Sequence, residues 1–262
     1  MVIFLMTDLN QQEKDIAIMV CVWFFFQERN NLMIFKQFFD NFSSTYTYLI
    51  SSGKGREALI IDPVIENTSE YLKALTNLDL KLVKVIDTHI HTDHISGLNE
   101  LSKKTNCTKI MGDQSPSEVI DIKIKDNDKI YIENIELKAI YTPGHTDCSY
   151  SFLMNDRVFT GDTLLINGTG RTDFQNGSSY DAYDSLFNGL LKLPEKTLVY
   201  PAHDYNGKKY STIESEINNN PRLQVNSKEQ YAEIMSNLNL ANPKMMDVAV
   251  PANVKGLTLE QL

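Results

Sequence analysis

At 262 residues the chain is long enough to bury a full hydrophobic core, as one large domain or two small ones, and 42% hydrophobic with 23% charged residues is ordinary for a globular protein. A formal net charge of −9 argues against a nucleic-acid-binding face, since phosphate backbones attract the opposite sign, although a local basic pocket for a small anion remains allowed. Three cysteines (Cys21, Cys107 and Cys148) are odd in number, scattered and without a C-x-x-C pair, which suits reduced thiols in a reducing compartment.

Residues 16–26 run continuously apolar (IAIMVCVWFFF) but are too short to span a bilayer. Asp8, Glu13 and Asp15 precede them where a secretory signal would carry cations, and no small-residue cleavage site follows. An arginine-rich, acid-poor transit peptide is also absent. We read 1–32 as an N-terminal extension, either an extra packed element or a segment of little role, and 33–262 as one domain. No membrane association is expected. The expected location is the cytoplasm, or the mitochondrial matrix if the source is eukaryotic.

From Met33 onward, strands are expected at 34–39 and 46–50, with Ser52-Gly53 turning the chain into a third at 58–61. Asp62-Pro63 ends that strand. Residues 68–78 carry leucine at helical spacing behind Asn67 or Thr68 as N-cap. A buried strand at 82–88 leads to a helix at 95–104 and a short strand at 109–111. Short strands with Asp-Asn turns (Asp126-Asn127-Asp128) read as a β-meander over 119–142. A hairpin at 150–154 and 158–160 turns across Asn155-Asp156. An amphipathic helix follows at 180–193, then a strand at 197–200, helices at 211–219 and 227–238, and an extended piece at 247–251. Two strand-rich halves, each followed by helices, predict an α+β fold of packed sheets with helices outside. Function would gather where strand ends meet loops.

One strand end is dense in chemistry. Thr88-His89-Ile90-His91-Thr92-Asp93-His94 sets three imidazoles and a carboxylate directly after a buried run. His89 and His91 alternate along extended chain and share one side of it. Imidazole with carboxylate is a ligand set for zinc, iron or manganese rather than calcium or magnesium. Four more loops join this one: Thr142-Pro143-Gly144-His145-Thr146, Gly161-Asp162-Thr163, Gly170-Arg171-Thr172-Asp173-Phe174 and Pro201-Ala202-His203-Asp204-Tyr205. Singly, each is ordinary turn chemistry: a histidine after Pro-Gly is usually a surface turn, and Gly-Asp-Thr usually an Asx-turn or cap. Together they place all five histidines of the chain in strand-end turns. Clustered imidazoles and a buried carboxylate are costly without a cation to compensate them.

The set His89, His91, Asp93, His94, His145, Asp162 and His203 resembles the metallo-β-lactamase superfamily, whose fold is an αββα four-layer sandwich with a metal site at one edge. Within it the chain is similar to the glutathione persulfide dioxygenases (sulfur dioxygenases). The stretches that carry this likeness are Ser43-Ser44-Thr45-Tyr46-Thr47-Tyr48-Leu49, Gly170-Arg171-Thr172-Asp173-Phe174-Gln175, Tyr200-Pro201-Ala202-His203-Asp204-Tyr205, Asn220-Pro221-Arg222-Leu223 and Val250-Pro251-Ala252-Asn253. The resemblance implies one Fe(II) per chain, with zinc the alternative, held by His89, His145 and Asp162. It implies oxidation of the persulfide sulfur of glutathione persulfide by O2 to sulfite and glutathione, and it suggests a homodimer.

The residues fit that chemistry on their own terms. Two imidazoles and one carboxylate leave open coordination positions, the arrangement of non-haem iron oxygenases. His91, Asp93, His94 and His203 would surround the metal, orient its ligands and manage protons. Arg171 is the expected cation for a glutathione carboxylate, against the plainer reading of an ion pair with Asp173. Tyr205 is a weaker candidate for a hydroxyl contact. Cys148 reads as a small buried hydrophobe and Tyr46 and Tyr48 as strand packing.

The main rival is a glyoxalase II-like thioester hydrolase acting on S-lactoylglutathione, in which all seven side chains hold two metals that share a hydroxide. The segment after His203 argues against it, lacking a basic helical glutathione-binding domain. A β-lactamase would want an export signal, and a nuclease a basic face. A metal-free scaffold that only binds partners would leave an intact ligand set without purpose.

Overall fold

The computed structural model describes residues 33–243 and 245–262. The expected extension 1–32, with its apolar run and Cys21, lies outside the described residues. Two six-stranded sheets dominate. The first has the order β1-β2-β3-β4-β5-β6, built from Ile34–Asp40, Thr45–Ser51, Glu57–Ile61, Lys81–Ile86, Thr108–Gly112 and Ile122–Ile124. The second has the order β14-β13-β10-β9-β8-β7, from Lys129–Ile132 (β7), Ile135–Tyr141 (β8), Tyr150–Leu153 (β9), Arg157–Gly161 (β10), Leu198–Pro201 (β13) and Ser211–Thr212 (β14). A two-stranded ribbon, β11 (Leu164–Leu165) with β12 (Gly168–Thr169), stands beside the second sheet.

Alternation along the strands decides the layering. In β2, Tyr46, Tyr48 and Ile50 face one way and pack with Ile61, Ile86 and Ile124 against Ile130, Leu137, Phe152, Phe159 and Tyr200 of the other sheet. The opposite face of the first sheet (Leu49, Ile60, Val85) buries against Tyr71, Ala74 and Leu75 of α1 (Thr68–Asn77) and Leu98 and Leu101 of α2 (Leu98–Thr105). The outer face of the second sheet (Val158, Val199) buries against Ala182, Leu186 and Leu190, Ile213 of α4 (Ile213–Asn219) and Tyr231 and Met235 of α5 (Lys228–Ser236). The result is the expected helix–sheet–sheet–helix sandwich. No helix among the described residues is long and apolar enough to cross a membrane.

Three expectations need correction. The stretch 119–142 is not one meander: β6 adds parallel to β5 in the first sheet, whereas β7 and β8 start the second. The Asp126-Asn127-Asp128 turn, with Asn127 at φ 67°, is where the chain crosses between sheets. The helix at 180–193 is irregular: α3 (Ser179–Tyr183) passes into a π-helical turn at Asp184–Gly189 and a 3₁₀ turn at Leu190–Lys192. Gly189 gives the helix little support there, yet Ala182, Leu186 and Leu190 still reach the core. Finally, 247–251 is not extended but lies within α6 (Met246–Lys255), with Pro251 inside it. Two valines and a proline read as strand-like; packing of Ala249 and Ala252 on Ile65 and Ile95 overrides that preference.

The strand ends bring the chemistry together. β4, β10 and β13 all finish at the same edge, and the sheets are tied there by Tyr46 N–H to Ala202 O (2.7 Å), Tyr48 Oη–H to Pro201 O (2.6 Å) and Tyr150 N–H to Thr88 O (2.9 Å).

Candidate metal centre

The loop after β4 carries His89, His91, Asp93 and His94; His145 sits in the turn between β8 and β9; Asp162 follows β10; His203 follows β13. These seven side chains meet. One ligand atom each from His89, His145 and Asp162 lie within 4.8 Å of one another, and the same is true of His91, Asp93 and His94.

Two glycines make this approach feasible. At Gly161 (φ 50°) the register between β10 and β13 shifts, and a Cβ there would lie 2.6 Å from Thr88 Oγ1. The bulge lets β10 close on the β4 loop and aims Asp162 inward. At Gly170 a Cβ would lie 2.1 Å from Asp162 O and 2.9 Å from the His145 ring, so only glycine lets that loop run under both.

Hydrogen bonds set which ring nitrogen is free. The Asp62 carboxylate accepts Thr88 N–H (2.7 Å) and the Thr88 hydroxyl (3.0 Å). With its proton on Asp62, Thr88 Oγ1 accepts from His89 Nδ1 at 2.9 Å, leaving a lone pair on His89 Nε2. His145 Nδ1 donates to Arg171 O at 2.7 Å, which leaves its Nε2 lone pair 3.6 Å from Asp162 Oδ2. His91 turns Nε2 toward Asp62 Oδ1 at 3.2 Å, and its Nδ1 is buried without a partner, as is Nε2 of His94. Unpartnered buried imidazole nitrogens beside a carboxylate cluster are what a bound cation satisfies.

His203 differs from the others. Its Nδ1 lies 2.7 Å from Asp162 Oδ1 and its Nε2 2.8 Å from Asp93 Oδ2. Burial opposes charge on this ring, but the two carboxylates outweigh it and raise its pKa well above the usual value. The same contacts, against burial, hold Asp162 below its normal range and Asp93 well below it. Burial, followed by the neighbouring His91 and His145, keeps His89 neutral, its pKa well below the usual value. Deeper in, Asp87 is buried with one oxygen unpartnered, and burial raises its carboxyl to about 7.

The centre lies on the wall of a cavity of about 650 Å³. Asp93, His145, Asp162, Arg171, His203, Tyr205 and Arg222 line it, and Phe42 (78% exposed) and Tyr205 (73%) stand at its rim. The Arg171 guanidinium is engaged on several sides: Nε and Nη2 meet Asp173 at 2.7 and 2.8 Å, Nη1 donates to Ala241 O at 2.7 Å, and the group lies 4.3 Å from the Phe174 ring centroid. The ion pair is therefore present, and it crosslinks the Gly170 loop to the segment before α6. Cys148 is buried in the helix-side core beside Thr146 and Ile90.

Three residues escape the sequence reading. Asp62 reads only as the end of a strand, although Asp-Pro at a strand end beside a histidine cluster is a usable signal. Arg222, in Asn220-Pro221-Arg222-Leu223, donates Nη1 to Thr169 O; among the described residues its guanidinium has no carboxylate partner, and burial lowers its pKa. Asn253 reaches the β4 loop from α6.

Comparison with known proteins agrees with this geometry. A profile described as "Metallo-beta-lactamase superfamily" matches residues 40–116 and 112–203. The mitochondrial persulfide dioxygenases ETHE1 of Mus musculus and Homo sapiens are each 41% identical over 226 residues, covering 85% of this chain and 88% of theirs. A hydroxyacylglutathione hydrolase of Dictyostelium discoideum is 33% identical over 205 residues, covering 73% of this chain and 74% of its own. The crystal structure of ETHE1 from Myxococcus xanthus superposes with a TM-score of 0.82 at 46% identity, covering 84% of this chain and 98% of that one. The chain belongs to the metallo-β-lactamase superfamily and, within it, to the persulfide dioxygenase family.

Proposed function

We propose that this chain oxidises glutathione persulfide with O2, using one ferrous ion held by His89, His145 and Asp162, and releases sulfite and glutathione. The observation that carries the single-ion reading is the placement of His203. Its two nitrogens occupy Asp93 and one oxygen of Asp162, so groups that a second ion would need satisfy one another. His145 Nε2 lies 3.6 Å from the other oxygen of Asp162, and His89 offers a ring nitrogen to the same cluster. A ferrous ion there would supply the redox chemistry by which O2 reacts with sulfur, as two imidazoles and a carboxylate do in non-haem oxygenases.

The chain's own residues do the rest. A cavity of about 650 Å³ lies within the range of roughly 300–1,000 Å³ usual for small-molecule sites. Arg222, a desolvated cation without a partner carboxylate among the described residues, is suited to a glutathione carboxylate; Arg171 orders the loop that carries Gly170. Overall, persulfide, O2 and water give sulfite, glutathione and two protons. His203, hydrogen-bonded to Asp162 and to Asp93 on the cavity wall, would orient both carboxylates beside the bound substrate. Tyr205, its ring parallel to His203 at a centroid distance of 6.1 Å, shields that pair from one side.

A second reading, two-metal hydrolysis of S-lactoylglutathione, is favoured by one observation, the unpartnered nitrogens of His91 and His94 beside Asp93. Anaerobic purification with an oxygen electrode separates the two. Oxygen uptake and sulfite formation on glutathione persulfide, with negligible lactoylglutathione cleavage, is the expected result. Thioester cleavage without oxygen uptake would overturn it.

A further inference from the structure

The loop from the end of β4 to the start of α2 has no regular secondary structure; backbone N–H groups of Tyr150 and Ile65 bind its ends at Thr88 O and Ile95 O (2.9 Å each), and the carbonyls between them need other donors. Side-chain amides from distant segments bind three of them. Gln175 Nε2 donates to Ile90 O at 3.0 Å. Asn253, on α6, donates from Nδ2 to both His91 O and His94 O at 3.0 Å, and its Oδ1 accepts Ser96 N–H at 2.8 Å. Asn253 is 8% exposed, and its amide N–H donors are committed to residues 91 and 94. Its helix is seated on the same loop, where Ala249 and Ala252 pack on Ile95.

We propose that Asn253 is a positioning residue for the metal centre, holding the backbone of residues 91–96 in one register so that α6 sets how tightly the metal is retained. The inference rests on the metal triad argued above. His91 and His94 are fixed at their carbonyls by this one amide, and the His91 ring packs against that of His89, tilted by 53° with centroids 4.2 Å apart. Slack at the clamped backbone therefore reaches the ligand His89 through the His91 ring. An apolar contact such as Ala249 on Ile95 holds the helix against the loop without specifying which carbonyl faces which donor; the directional amide does that.

The test is the rate at which the loaded protein surrenders iron, or zinc, to a chelator. Asn253→Ala removes all three hydrogen bonds. Asn253→Asp is nearly isosteric and keeps the acceptor for Ser96 N–H, but sets an oxygen against two carbonyls. Both are expected to release metal about 10-fold faster or more. Val250→Ala, on the same helix but packed against the helix-side core, is expected to lower Tm without changing release. Wild-type release from Asn253→Asp, or equal acceleration by Val250→Ala at matched Tm, would overturn the proposal. Hydrogen exchange on the unaltered chain gives a reading independent of variant folding: metal loading should slow exchange of the Ser96 amide and of α6, by reciprocity of linked equilibria. Unchanged exchange in α6 would count against the clamp. Oxygen uptake is recorded separately, so a protein that holds metal through this clamp yet consumes no oxygen would contradict the dioxygenase reading and leave the clamp standing.

Discussion

His203 and Asp162 face each other at 2.7 Å, and the far nitrogen of the same ring meets Asp93, so one imidazolium ties together carboxylates from two different strand ends. The stability this gives the metal-free protein depends on pH from both sides. A histidine whose folded pKa is raised contributes fully below its usual value of about 6.5, and the contribution is lost as pH rises through the raised value. The lowered carboxylates contribute fully above about 3.9 and lose it as pH falls through their folded values. The difference in unfolding free energy between the wild-type protein and His203→Gln should therefore be greatest between about pH 4 and 6.5 and shrink on either side. Urea titrations across that range, at fixed salt, read it. A difference that grows from pH 7 to 9 would contradict the charged assignment.

Gly170→Ala should damage the centre while leaving the sandwich intact. Its Cβ would fall 2.1 Å from Asp162 O and 2.9 Å from the His145 ring, both of which belong to the proposed ligands. Forced overpacking of this kind costs about 1–3 kcal/mol, and the shift lands on the triad. Gly168→Ala is the matched control, since its nearest neighbour would be a side-chain carbon at 3.9 Å. Metal content and Tm measured on both should separate them, with Gly168→Ala close to wild type.

The two arginines of the cavity should behave differently. Arg222→Ala removes a cation with no carboxylate partner among the described residues and is expected to raise KM for glutathione persulfide about 10-fold or more with kcat little changed, the pattern of lost uniform binding. Arg171→Ala breaks the bidentate pair with Asp173 and the bond to Ala241 O, so its main expected effect is a lower Tm and looser packing of the segment before α6. Steady-state kinetics beside thermal melts would show whether the roles are instead reversed.

Much of this molecule is legible in the chain itself, for definable reasons. The seven ligand-type residues stand at ends of strongly apolar strands, where pattern and turn chemistry agree, and the structure brings all seven together. What escaped depends on contacts far apart in sequence. Asp62 acts through Thr88 and His89 in the loop after a neighbouring strand, and nothing in Asp62-Pro63 alone says which strand that is. Arg171 and Arg222 look alike as letters; they differ only because Asp173 lies against one of them. The α6 segment differs from its local signal because valines and Pro251 argue for extended chain, while Ala249 and Ala252 find their partners in Ile65 and Ile95. The crossing between sheets at Asn127 is similarly invisible, since a turn does not record which sheet receives the next strand.

The most direct test of the central claim is iron per chain in Asp162→Ala, purified without oxygen beside the wild-type protein. About one iron is expected in the wild-type chain and close to none in the variant, because His89 and His145 alone lack the carboxylate that completes the triad. Full iron occupancy in Asp162→Ala, or two tightly held metals in the wild-type chain, would contradict it.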